Sequence, residues 1–139
     1  MPVHSTSHTV ETRGLGHTLD LTAMVEEVIK GSGLSDGTVT LFVPGSTAGL
    51  TTLEFEPGVV EDVSDLFERL APRDAAYAHE KAWHDGNGFS HVRAALLGPS
   101  LTIPFANKRP ALGTWQQVVL IDFDNRSRQR QLVIQVMGE

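Results

Sequence analysis

Apolar residues recur along the chain with two periods, one helical and one alternating, and the changes between them divide it into elements. Across residues 20–30, DLTAMVEEVIK, Leu21, Met24, Val25, Val28 and Ile29 fall at helical spacing, with Asp20 near the start and Lys30 at the end. Gly31 and Gly33 predict the end of that helix. A second helix is predicted over residues 59–70, where Val59, Val60, Val63, Leu66, Phe67 and Leu70 repeat and Pro72 closes the run. A third begins just after Gly86 and Gly88, with Ser90 near its N-cap and residues 92–97 as its apolar body.

The remaining apolar runs read as strands. Residues 3–12 alternate small polar and β-branched side chains, and residues 38–43, TVTLFV, run into a turn at Pro44-Gly45. Residues 48–53 form the next strand, which either pairs with its predecessor or bends away around that turn. Three more strands are predicted at 101–105, 114–123 and 130–137, with Asp124 and Asn125 turning the chain between the last two. Helices inserted among antiparallel strands, rather than alternating regularly with them, predict an α+β fold of mainly antiparallel sheets.

Composition narrows the class. A chain of 139 residues fits one compact domain over 1–139, and 40% apolar with 20% charged residues argues against disorder. No apolar run reaches the roughly 20 residues a membrane-spanning helix needs, and the start, MPVHSTSHTVETR, has no apolar signal core. The expected location is therefore cytoplasmic, with no membrane partner. The absence of cysteine excludes disulfides, thiolate metal sites and cysteine nucleophiles, so any metal must sit on His, Asp, Glu or water. A formal charge of −6 argues against nucleic acid as a partner, although Arg126, Arg128 and Arg130 form a local basic patch able to hold phosphate.

Candidate chemistry concentrates in residues 77–91, YAHEKAWHDGNGFSH, where His79, His84 and His91 surround a loop of Asp85, Gly86, Asn87 and Gly88. Imidazole titrates near neutrality and ligates metals when neutral. The glycines let the main chain approach a ligand, and the following helix start would point free N–H groups at an anion beside Asn87. Ser46 and Thr47, in Gly45-Ser46-Thr47-Ala48-Gly49, offer hydroxyls and main-chain donors to a phosphate directly after a strand. That segment is neither a P-loop, lacking its lysine, nor a lipase-type elbow. Glu54, Glu56, Glu61, Asp62 and Asp65 supply carboxylates, one of which can join histidines at a divalent ion. Gln116 or Gln117 can read a heteroaromatic ring by hydrogen bonds, and Arg126, Arg128 and Arg130 share one face of an extended chain as an anion clamp. Trp115 reads as a core or subunit-interface anchor.

Taken in order, FVPGSTAGLTTLE, YAHE, DGNGFSHVRAALLGPSLTIP, LGTWQQVVLIDFDNRSRQR and a terminal Gly138-Glu139 resemble the YjbQ-like family of secondary thiamine-phosphate synthase enzymes. The resemblance runs from about Leu15 to the end of the chain. It implies a small α+β domain assembling as a homotrimer, with sites at or near subunit boundaries. It also implies a weak activity that joins an aminopyrimidine diphosphate to a thiazole phosphate and releases pyrophosphate. His79, His91, Glu54 and Asp62 match the family's histidine and acidic positions, and Ser46 and Thr47 match the hydroxyls of a segment that usually reads His-Thr-Ser-Ala-Gly-Leu. Gly45 stands where that histidine is usual, and His84 is the candidate to replace it.

The resulting expectation is an enzyme with His79, His84 and His91 on a divalent ion (zinc, magnesium or manganese). Glu54 and Asp62 join the catalytic group, while Ser46, Thr47, Asn87, Gln116, Arg128 and Arg130 bind a phosphorylated small molecule. The alternatives are a non-catalytic metabolite- or metal-binding trimer and a metal-dependent phosphoester hydrolase.

Overall fold

A computed structural model describes residues 1–139. Along the chain run β1 (Val3–Thr12), β2 (His17–Asp20), α1 (Thr22–Ser32), β3 (Gly37–Phe42), β4 (Ala48–Leu53) and α2 (Pro57–Leu70). There follow α3 (His79–Trp83), α4 (Gly88–Leu97), β5 (Ser100–Ala106), β6 (Arg109–Pro110), β7 (Gln117–Asp122) and β8 (Arg128–Gly138). The strands form two antiparallel sheets, one of five strands in the order β1-β8-β3-β5-β6 and one of three in the order β2-β7-β4.

The larger sheet buries one face. In β8, Arg130, Leu132, Ile134 and Val136 point inward while Gln129, Gln131, Val133 and Gln135 point out. The inward set packs with Val25, Val28 and Ile29 of α1 and with Leu50, Val118 and Leu120 of the smaller sheet. Val119, Ile121 and Phe123 point the other way, onto Phe67 of α2 and Ala94 of α4. Being covered on both faces explains why β7 reads as a continuous apolar run rather than an alternation.

The α+β expectation is met, and most elements lie within two residues of their predicted bounds. Several differ for local reasons. Gly31 lies inside α1, which continues to Ser32 and is stopped by Gly33 at φ 76°. β3 and β4 bend around the Pro44-Gly45 turn into different sheets and do not pair. Residues 114–116 precede β7 rather than belonging to it: Gly113 N–H donates to Gln116 Oε1 at 3.0 Å, and Trp115 is exposed. Asn87, not Ser90, stands at the N-cap of α4, and the buried Ser90 hydroxyl turns back onto it. The short elements β2, α3 and β6 carry too few apolar positions for a period to announce them.

No backbone ladder joins the two sheets; a buried polar knot does. Arg130 donates from Nε to Asp122 Oδ2 at 2.7 Å and from Nη2 to Asp122 Oδ1 at 2.9 Å. Nη2 also donates to Thr47 Oγ1 at 2.6 Å, and Thr47 donates to Asp124 Oδ2 at 2.8 Å. Thr12 at the end of β1 donates to Asp122, and Arg128 Nε reaches Asp124 Oδ2 at 3.0 Å. Burial pushes the Asp124 carboxyl up, but hydrogen bonds from Thr47, Arg128 and Asn87, with the Arg128 charge, outweigh it and hold the group below the ordinary carboxylate range.

Two outcomes follow. Asp122→Ala removes the bidentate partner of the buried Arg130, leaving only the longer contact of Nη2 with Asp124 Oδ2 at 3.6 Å, and should lower the unfolding free energy by about 3 kcal/mol, measured by urea denaturation. Because its folded value is depressed, Asp124 stabilises the fold fully above the ordinary carboxylate range and loses that contribution as pH falls through the folded value. Asp124→Asn should therefore be less stable at neutral pH and lose less stability than wild type between about pH 5 and 3.

Candidate functional site

The histidine segment folds as a short helix packed on a longer one. Gly88 makes this possible, since a Cβ there would stand 2.6 Å from the Tyr77 Cβ and 2.9 Å from Glu80 Oε1. In the gap that remains, Glu80 Oε1 accepts the Gly88 N–H at 2.7 Å. The first donor of α4, expected to face a substrate anion, is thus taken by the protein's own carboxylate.

This packing places the rings of His79 and His91 with centroids 4.5 Å apart, tilted by 36°. His79 Nδ1 lies 3.5 Å from Glu80 Oε1 and 3.4 Å from Asp85 Oδ1. It is buried and makes no hydrogen bond. His79, Glu80 and Asp85 offer ligand atoms all within 4.8 Å of one another. His84 is not part of this group: it ends α3 with φ 54° and is exposed. The expected three-histidine set is therefore not assembled within one chain, because a left-handed cap turns the backbone at His84 while Glu80 and Asp85 take the places beside His79.

A second feature adjoins this one. His91, Gly45, Ser46 and Ala48 line a shallow groove with Ala94, Ala95 and Pro99. Gly45 stands over the Arg130 guanidinium, where a Cβ would lie 3.1 Å from Nη1. Nε and Nη2 of Arg130 are committed to Asp122 and Thr47, and Nη1 has no hydrogen-bond partner in the protein. Arg130 as a whole is 92% buried, and its unpartnered Nη1 edge is the one that lies against Gly45. Glycine in place of a larger residue leaves that edge uncovered.

The other expected residues separate into two kinds. Thr47, Asn87 and Arg130 are buried, and Asn87 Oδ1 accepts from the Ser90 hydroxyl and from Asn125 N–H at 3.1 Å. The arginine clamp is largely neutralised: Arg128 and Arg130 pair with Asp124 and Asp122, and Arg126 is exposed in the preceding turn. Glu54 and Asp62 are exposed and lie outside the His79 group. Gln116 donates to Thr52 Oγ1 at 3.0 Å and lines a different cleft. Sequence reasoning missed Asp122, Asp124 and Glu80, and gave Asp85 a place in the candidate loop without a role beside His79. The signal for the first two was available, because two acids interrupting a buried run at alternate positions, VVLIDFD, require cations opposite them, and Arg128 and Arg130 alternate likewise.

Comparison with known proteins agrees with this architecture. The family described as UPF0047 protein YjbQ-like matches residues 6–139. A UPF0047 protein of Methanothermobacter thermautotrophicus is 36% identical over 121 residues, which are 87% of this chain and 82% of that protein. One from Archaeoglobus fulgidus is 34% identical over 83% of this chain and 87% of its own length. Among solved structures, a hypothetical protein from Aeropyrum pernix K1 superposes with a TM-score of 0.90 at 30% identity, covering 98% of this chain and 99% of its own. An uncharacterized conserved protein of the YjbQ/UPF0047 family from Clostridium acetobutylicum gives 0.86 at 29% identity, covering 95% and 99%. With the same curled antiparallel sheets and a match over nearly its whole length, the chain belongs to the YjbQ-like UPF0047 family.

Proposed function

We propose that the chain binds a phosphorylated small molecule over the Gly45-Ser46 loop and catalyses a slow group transfer of the thiamine-phosphate synthase type. An aminopyrimidine diphosphate would be joined to a thiazole phosphate with release of pyrophosphate. The observation that carries this reading is Arg130 Nη1, a fixed guanidinium edge left unpaired beside two small residues and the His91 groove. In such a transfer the carbon–oxygen bond to the diphosphate breaks as the thiazole nitrogen bonds to carbon, and charge grows on the leaving oxygen. A preorganised donor is most effective there. Arg130 Nη1 and the Ser46 hydroxyl are the donors, and His91, held against His79, is the acid/base group.

A divalent ion fits this chain at His79, Glu80 and Asp85, because a buried imidazole nitrogen without a partner faces two carboxylates. That donor set suits zinc or manganese better than magnesium. Bound there, the ion would neutralise phosphate charge. The homotrimer is part of the proposal, supported by Phe42, Val133 and Met137 exposed on the outer face of the larger sheet and by the exposed Trp83. Light scattering at three chain masses is the expected result.

Thiamine phosphate should form slowly from the two precursors in the presence of zinc or manganese. His91→Ala should lower the rate by at least about a hundredfold, equivalent to roughly 3 kcal/mol. Gly45→His should weaken inorganic phosphate binding by about tenfold by covering Nη1. A wild-type rate in His91→Ala would place the chemistry elsewhere. No rate above background with any of the three metals would leave a binding protein, and phosphate release without joining would identify a phosphoester hydrolase.

A further inference from the structure

Between α1, the β5–β6 hairpin and the turn before β7 lies a cleft of about 440 Å³ that the proposed reaction does not use. Its walls carry Lys30 from α1 and Lys108 and Arg109 from the hairpin. The chain has three lysines, and two of them stand here, in a protein of net charge −6. Glu26 is the one acid in the lining, and none of these four side chains forms an ion pair within the chain. The cleft therefore has an uncompensated positive excess.

The hairpin supplies an independent observation. Asn107 and Lys108 have φ values of 52° and 63°, the left-handed pair of a tight hairpin turn whose second position favours glycine. Lysine is strained there, and strain retained at one residue points to a use for its side chain. The turn is also pinned, since Asn107 N–H donates to Asp36 Oδ1 at 3.1 Å and Lys108 N–H to Ser35 O at 2.8 Å. Polar groups elsewhere in the lining are already engaged: Thr22 Oγ1 accepts Val118 N–H at 3.0 Å and Gln116 Nε2 donates to Thr52 Oγ1 at 3.0 Å. The cationic heads are what remains to meet a ligand.

We propose that this cleft is a second anion site, built for a diphosphate group. Three cations spread over two elements can reach oxygens on two phosphorus centres at once, which a diphosphate presents and a monophosphate does not, and Arg109 can engage two oxygens by itself. The proposal stands independently of the reaction assigned to the Gly45 groove.

Inorganic pyrophosphate titrated into the full-length protein tests it, by calorimetry and by the fluorescence of Trp115 in a Trp83→Phe background. Trp115 is 73% exposed and sits in sequence between the lining residues Thr114 and Gln116. Saturable binding is expected, with one equivalent per chain persisting in Gly45→His, where Nη1 of Arg130 is covered; it is tighter than for orthophosphate and weakened by added salt. Lys30→Ala and Lys108→Ala, both at exposed positions, should each weaken it by about tenfold or more, whereas Gly45→His should leave this lysine-dependent binding unchanged. Lys108→Gly separates strain from use: it should raise Tm while losing affinity. In the Gly45→His background, affinity undiminished by adding Lys30→Ala and Lys108→Ala would overturn the proposal, as would absence of saturation. Loss of binding in Gly45→His alone would move the anion to Arg130, and tighter binding of a single-stranded oligonucleotide would make the cleft a nucleic-acid surface.

Discussion

The pairing of Arg130 with Asp122 is the constraint on which the rest of the architecture depends. The two residues lie on different sheets, and no main-chain hydrogen-bond ladder connects those sheets. Apolar packing across the gap is strong but non-directional, so it permits sliding. A bidentate ion pair with Thr12 and Thr47 on its flanks permits very little, because each displacement unpairs a buried charge. Against a well-packed apolar replacement such a pair adds little net stability. What it contributes is direction: it sets how the β7 end of one sheet lies on the β8 end of the other.

The same guanidinium links the core to the candidate site. Two of its nitrogens are consumed in holding the sheets together, and the third lies beside Gly45 without a partner. A donor fixed by the core suffers little reorganisation when charge develops next to it, which is the property an anion-stabilising group requires. Position 45 controls access to that donor. Any side chain there would crowd Nη1, where a Cβ already lies 3.1 Å away, and glycine leaves it uncovered.

At the histidine segment the decisive contact is again between the chain and itself. Glu80 caps the first N–H of α4 and at the same time approaches His79, while Gly88 allows the two helices to come close enough for His79 and His91 to stack. An anion-binding helix start is thereby exchanged for a mixed imidazole and carboxylate group. Membership of the YjbQ-like family accounts for the sheets and their curl.

The sequence by itself determined the long elements and the α+β class. Periodicity is a property of consecutive residues, and α1, α2 and β8 each repeat it over several turns or pleats. It also marked the residues of the site, because His79, His91, Ser46 and Arg130 are chemically conspicuous wherever they lie. Their grouping was legible only in tertiary structure. Whether β3 and β4 pair or part depends on which surfaces remain to be buried. Whether His84 joins His79 depends on a cap whose left-handed turn nothing in its neighbours requires. Arg128 and Arg130 illustrate the division most directly: alternation placed them on one face of a strand, but only the arrival of Asp122 and Asp124 from the other sheet made them buried partners instead of a free clamp. Local physics acts between near neighbours along the chain, whereas the pairing of a buried charge is settled by whatever the fold brings to meet it.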